Sequence, residues 1–448
     1  MKKMDSLTKE IRRGIKGELI EEIDEKYCND FSHILRKVPL LVVRVTCEED
    51  VIHVMKTALS ADVPVTVRGA GKSCHGQSLN EGGILIENFL PEFPVKFIDD
   101  NCVEVNTRSR WYELERALNK AGRSAPVLTD YLYLSVGGTL SVGGIGVDSI
   151  LHGFQVDQLK SVRLILPNGT MPWCSAEKDR ELFRFGLASL GQTGFMDRVI
   201  MKTGSYRKYC YLYKVQHKSI SELLAFIKKI LENPGGIEHF NAWIVHKIVV
   251  SEIGFYRRDK AKSPKELRNI LFSAKPMGKI IEESIQENYK FKLSEEREAW
   301  LNYFPDHIRL WTDYIFNYDA LVQFVDFLKP LMKVLPLSKA LQANYILIIR
   351  RPGQRTDFVL SPASKGKHLI GIGLFNMVNK WNLDLLWGTI EILKTTLKKC
   401  QELGGRPYLY GWNELDEQMK LNFYGDDYER LLDLRKKMNL DFFNSESF

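Results

Sequence analysis

Between Thr129 and Gly146 the chain reads Thr-Asp-Tyr-Leu-Tyr-Leu-Ser-Val-Gly-Gly-Thr-Leu-Ser-Val-Gly-Gly-Ile-Gly. The stretch gathers Gly137, Gly138, Gly143, Gly144 and Gly146 around the hydroxyls of Thr139 and Ser141, with the carboxyl group of Asp130 just upstream. Glycine takes φ > 0 without strain and lets the backbone approach a ligand closely, so its N–H groups can point at phosphate oxygens. Taken alone, the segment reads equally well as a glycine-rich pair of turns. A second loop of the same kind, Val67-Arg68-Gly69-Ala70-Gly71-Lys72-Ser73-Cys74-His75-Gly76-Gln77, lies some sixty residues earlier and changes that balance.

Two phosphate motifs compete for the earlier loop, and both fail. Gly71-Lys72-Ser73 ends like a nucleoside-triphosphate P-loop, but the first glycine of that motif is Thr66 here. The third glycine of a dinucleotide fingerprint falls on Cys74. Each motif also needs a helix to follow, and this loop runs on into Gly76, Gly82 and Gly83. Two glycine loops in one domain instead suit a long ligand with a pyrophosphate at its middle.

At this point the residues resemble a known family, the FAD-linked oxidases of the vanillyl-alcohol oxidase class, and within it the cytokinin dehydrogenases. Four motifs carry the resemblance in order: Arg68 to Gln77, Leu128 to Ser141, His152-Gly153-Phe154-Gln155, and Gly191-Gln192-Thr193-Gly194. The resemblance implies an α+β fold: a two-subdomain FAD-binding domain of the PCMH type, and an α/β substrate (cap) domain with an antiparallel sheet. The expected divisions are an N-terminal helical segment over 1–34, the FAD-binding domain over 35–206, the cap over 207–405, and a C-terminal segment over 406–448 that returns to the FAD domain.

The same resemblance implies which residues line FAD. They are Gly69, Ala70, Gly71, Lys72, Ser73 and Gln77 in the first loop; Asp130, Ser135, Ser141 and Ile145 in the second; Met196 after the third turn; and Tyr408 near the end. Asn444 and Ser445 are further candidates, and Trp412 could line a substrate cavity. Lys72 stands where the family has a histidine bonded to the flavin, so non-covalent FAD is expected. Lys72 then either sets a positive charge beside the flavin or is a solvated lysine. Asp130 maps onto the aspartate that contacts the substrate amine in that family; the alternative is a carboxylate capping the glycine turn. The expected function is an FAD-dependent oxidoreductase moving a hydride from a small amine or alcohol to flavin N5, with oxygen or a quinone-like acceptor. A tailoring oxidase acting on an alcohol or ring, and a flavin-binding protein without turnover, remain as alternatives.

Bulk properties narrow the field. The 448 residues, 44% hydrophobic and 27% charged, are those of an ordinary globular chain with room for two or three cores. The net charge of +7 is dispersed, and the Lys/Arg-rich pieces fall on helical patterns, which argues against nucleic acid as a partner. Seven scattered cysteines without a C-x-x-C suggest neither a disulfide framework nor a metal site. No run of about eighteen apolar residues marks a membrane span. The charged first residues lack a signal-like apolar core, so a cytoplasmic location is expected.

The elements that must position these residues follow from periodicity. Ile11, Ile15, Leu19 and Ile23 recur at helical spacing. A β-α-β unit is expected from Leu40–Val45, Glu48–Ala61 and Val63–Val67. Strands follow at 95–98 and 103–105, a helix at 110–121, a hairpin around Asn168-Gly169, a helix near 178–187 and a strand at 196–202. Beyond Tyr206 come strands at 210–215, 238–253, 310–316, 345–349, 358–361 and 369–375, with helices at 219–231, 320–334 and 383–403, the last stopped by Gly404-Gly405. Such alternation suits an antiparallel sheet with helices on one side. A final helix is expected over 426–438, and residues 255–305 carry no usable signal.

Overall fold

The strand Leu41–Val45 and the helix Glu48–Ala61 open the first unit, the helix burying Val51, Val54, Met55 and Ala58 against the sheet. The fold is known from a computed structural model, which describes residues 2–91, 95–234, 236–260, 278–333, 339–351 and 367–444. Leu41–Val45 and Val65–Arg68 do not pair with each other. Ile84–Asn88 lies between them, parallel to both. Val65–Arg68 thus takes an outer position in this sheet and delivers the first glycine loop at its C-terminal end.

The expected N-terminal helical segment ends early. The helix runs from Lys2 to Gly14, and Glu18–Ile20 forms a strand antiparallel to Leu41–Val45. The fourfold spacing of isoleucine and leucine is shared between two elements: Ile11 sits in the helix and Leu19 in the strand, both against one core. Residues 1–34 therefore contribute a strand to the first sheet.

A five-stranded antiparallel sheet follows, ordered Lys96–Asp99, Cys102–Asn106, Phe195–Lys202, Leu159–Ile165 and Trp173–Ser175. The last two strands form the expected hairpin, in which only Gly169 of the Asn-Gly pair has positive φ (88°). The short helix Val136–Leu140 carries the second glycine segment over this unit, its Ser135 Oγ accepting from Gly138 N–H at 3.3 Å.

The third sheet has eight strands, all antiparallel. Strand alternation gives it two unlike faces. Phe240, Ala242 and Ile244, Leu310 and Tyr314, Ile346 and Ile348, and Ile370 and Ile372 point to one face. There they pack against the helices Ile220–Glu232, Tyr318–Leu331 and Leu383–Glu402. Those helices start at side-chain caps: Ser219, Asn317 and Asn382 accept from the N–H groups of Glu222, Ala320 and Leu385. The intervening residues point the other way, toward the first unit.

One helix breaks the expected one-sided arrangement. Tyr289–Tyr303, within the stretch that carried no signal, lies on the opposite face of the sheet. The strand expected at 358–361 and the candidate Ser445 lie outside the described residues. All seven cysteines are free thiols, and six are buried. Among the described residues, no helix is long and apolar enough to cross a membrane.

Candidate functional site

A cavity of about 770 Å³ lies between the glycine loops and the inner face of the eight-stranded sheet. It brings together all the residues that the resemblance places along FAD, and Asn444 besides. Gly69, Ala70, Gly71, Lys72, Ser73 and Gln77 line it from the first loop. Asp130, Ser135, Ser141 and Ile145 line it from the second, with Met196 and Tyr408 beside them.

The two loops touch at Gly69. A Cβ there would sit 2.4 Å from Ser135 Oγ, so any larger residue would have to displace that hydroxyl. The N–H of Ala70 donates to the same hydroxyl at 3.3 Å. Among the described residues, no acceptor faces the backbone N–H groups of Gly69, Gly71, Lys72 and Ser73. Backbone donors are seldom left unpartnered, and four in one glycine-rich loop form a concavity suited to an anion such as a diphosphate.

Other expected ligands are engaged with the protein itself. Gln77 Nε2 donates to the carbonyls of Leu409 (2.7 Å) and Gly411 (3.1 Å), tying the first loop to the C-terminal segment. The Tyr408 hydroxyl accepts from Gly144 N–H at 3.0 Å and so supports the second loop. Asn444 accepts from Val67 N–H at 2.8 Å and donates to the Gly191 carbonyl at 2.7 Å, which sets it on the cavity wall. Trp412 does not line the cavity. It is buried in the core behind the sheet and stacks on His75 with ring centroids 5.4 Å apart.

Lys72 is not a solvated lysine. Its ammonium lies 4.8 Å from the Phe31 ring centroid and 5.7 Å from that of Tyr131. Burial lowers its pKa, with the cations Arg309, Arg110 and Arg68 acting in the same direction and Glu298 opposing them. Glu298 also accepts from the Tyr131 hydroxyl.

Asp130 does not cap the glycine turn. Its Oδ2 accepts from Arg297 Nε at 3.0 Å, and the guanidinium lies 4.5 Å from the Trp243 ring centroid. Arg297 comes from the helix that the sequence left unread. The sheet and the same helix then supply aromatic walls: Trp311 stacks on Phe375 at 4.4 Å, and Trp300 of the helix stacks on Trp311 at 5.8 Å. Trp243, Tyr345, Gly373 and Asp313 stand directly opposite one another across four neighbouring strands. None of these residues belongs to a local motif, so nothing in the sequence marked them.

Burial also perturbs two carboxyl groups. Glu115 and Asp313 are each pushed up to about 7 by desolvation, from ordinary values of 4.5 and 3.8. Each therefore holds its proton more tightly folded than unfolded, and stability falls as pH rises from about 4 through about 7. The melting temperature should thus be lower at pH 8 than at pH 5, and Glu115→Gln should shrink the difference. An undiminished difference in that variant would remove Glu115 from the pH response.

Sequence similarity to known proteins points to the same cofactor. Residues 39–175 fit the family described as an FAD binding domain. An uncharacterized oxidoreductase of the fasciation locus of Rhodococcoides fascians is 29% identical over 205 residues, 46% of this chain and 46% of that one. Cytokinin dehydrogenase 3 of Oryza sativa subsp. japonica is 35% identical over 179 residues, 38% of this chain and 34% of the relative. Cytokinin dehydrogenase 3 of Arabidopsis thaliana is 26% identical over 228 residues, 49% and 43% of the two chains. The matched stretches span less than half the length of each of these relatives. Fold, cavity and domain match together define an FAD-binding protein built as an α+β flavin unit beside a large antiparallel sheet. The chain thus carries an FAD binding domain and is similar over part of its length to cytokinin dehydrogenases and to an uncharacterized oxidoreductase.

Proposed function

We propose that the protein is an FAD-dependent oxidoreductase that removes a hydride from a small amine or alcohol. The observation that carries this reading is the set of N–H groups at Gly69, Gly71, Lys72 and Ser73 without a partner among the described residues, in the loop that meets Ser135 on a cavity of about 770 Å³. When bound, FAD supplies an acceptor for the hydride and its two electrons. The first loop holds the diphosphate, while Ala70, Gln77, Ser135, Ser141, Ile145, Met196 and Tyr408 line the remainder. Asp130, held by Arg297, receives the substrate's N–H or O–H group. The aromatic walls from the sheet exclude water and select a flat or apolar substrate body.

The chain divides at about residues 206 and 405, with the unit up to 206, including the strand Glu18–Ile20, holding the cofactor, 207–405 covering it and the segment from 406 returning to close it. Oxygen or a quinone-like compound would serve as the electron acceptor. We further place the protein in the cytoplasm, with neither nucleic acid nor membrane as a partner; its free, mostly buried thiols suit a reducing compartment.

FAD is held without a covalent bond, because Lys72 stands where the resembling family links a histidine to the ring. Acid denaturation should leave a colourless precipitate and all of the yellow cofactor in solution. Colour retained on the polypeptide would overturn this. Anaerobic titration with a panel of amines and alcohols tests the reaction itself: bleaching of the flavin absorbance supports it. Failure with the whole panel, while dithionite bleaches the flavin and oxygen restores it, would leave a flavin-binding protein without turnover.

A further inference from the structure

Behind the floor of the cavity lies a carboxyl group that the proposed reaction leaves unused. Asp313 is 1% exposed on the strand His307–Phe316. The phenols of Tyr345 and Tyr410 interact with it, but neither makes an aligned hydrogen bond, and both carboxyl oxygens stand without a partner of proper geometry. The other titratable groups that bear on it are Asp130 across the cavity, Tyr314 on its own strand, Tyr408 on the C-terminal segment and Cys74 in the first loop. No cation is among them. A buried carboxyl that is neither paired nor fully hydrogen-bonded costs free energy, so its retention calls for a use.

The backbone is shaped around this group. Tyr345, Gly373 and Asp313 oppose one another on three adjacent strands. A Cβ at Gly373 would lie 2.1 Å from Tyr345 Cε1 and 2.4 Å from Asp313 Oδ1. The missing side chain is what lets the phenol reach across the middle strand toward the carboxyl. Tyr345 lines the cavity, whereas Asp313 lies behind it.

We propose that Tyr345 and Asp313 form a proton relay: the Tyr345 oxygen takes the substrate's N–H or O–H proton while Asp313 takes the proton of Tyr345. The proposal deepens the oxidoreductase reading and rests on it. The heteroatom–H bond of the substrate breaks as a new O–H bond forms on Tyr345, whose original O–H bond breaks as a carboxyl O–H forms on Asp313. The substrate C–H bond breaks with both electrons leaving as hydride to FAD, so the substrate becomes an imine or carbonyl compound and FAD is reduced. Asp313 then loses its proton to solvent before the next turnover. Asp130, already bonded to Arg297, holds the substrate's polar group from the other side. Asp313 has no guanidinium to neutralise it, which suits it to accept a proton.

The test is anaerobic stopped-flow reduction of the FAD-loaded enzyme by an amine or alcohol that bleaches it, followed across pH. Because burial pushes Asp313 up to about 7, the wild-type rate should rise with pH and level off above that value. Asp313→Asn and Tyr345→Phe should each remove the rising limb and slow reduction at least about a hundredfold, the scale of a lost proton-transfer group. A limb that survives in either variant overturns the relay while leaving the oxidoreductase reading intact. A wild-type flavin that no amine or alcohol bleaches sinks that reading and the relay with it. A measurement on the wild type covers the case in which the variants fail to fold. Carbon-13 NMR of aspartate-labelled holoenzyme should contain a side-chain carboxyl titrating near neutrality, and its absence overturns the proposal.

Discussion

Asp130→Asn should slow flavin reduction by substrate at least about tenfold, or roughly 1.4 kcal/mol of transition-state stabilisation, and leave FAD bound. Asparagine keeps the shape of the side chain but removes its charge. Arg297 then loses the anion that orients it, although its stacking on Trp243 remains. A substrate N–H or O–H that would have donated to a carboxylate meets a neutral amide instead, half of which is itself a donor. The cofactor should stay, because the loop N–H groups without a partner among the described residues are those of Gly69, Gly71, Lys72 and Ser73, not that of Asp130. Anaerobic stopped-flow spectra of variant and wild type decide the matter. Equal rates would remove Asp130 from the reaction.

Arg435→Ala should cost about 3 kcal/mol or more and weaken FAD binding as well. The Arg435 side chain is buried, and its Nη2 donates to the carbonyls of Leu440, Asp441 and Phe443, each at 3.1 Å, while Nη1 donates to the Gln192 side chain. One guanidinium therefore folds the tail back on itself and pins it to the third glycine turn. Removing it leaves several acceptors buried without donors, which is costlier than the loss of the bonds alone. The same tail carries Phe443, fully buried and bridged to Val65, and Asn444 on the cavity wall. Lysine should not rescue, since a single ammonium cannot reproduce the fork. Denaturant unfolding and FAD titration measure the two effects. A variant that unfolds at the wild-type midpoint with unchanged FAD affinity would contradict the account.

Most of the elements were legible because they depend on neighbours in sequence. The apolar period of Glu48–Ala61, the valine-rich strand before Gly69, and the Gly404-Gly405 stop all reappear within a residue or two of their expected places. The failures have physical causes. Leu19 continued a helical spacing, yet it serves the same core from a strand, since a hydrophobic contact does not record which backbone supplied it. The helix Tyr289–Tyr303 has nearly uniform polarity around its axis, because one side meets solvent and another meets a cavity holding charged and aromatic groups. Amphipathic patterning is faint where a helix borders a site instead of a core.

The sequence by itself determined the glycine loops, the cofactor they resemble a cradle for, and the alternation that gives the large sheet an apolar back. These are consequences of local conformational freedom and of period-two or period-3.6 burial. Tertiary structure alone decided the partnership of Asp130 with Arg297, 167 residues apart, and that of Asn444 with Val67, 377 residues apart. It alone decided that Tyr345, Gly373 and Asp313 fall in one row, because cross-strand register is set by how distant strands stack and not by any residue's neighbours in the chain.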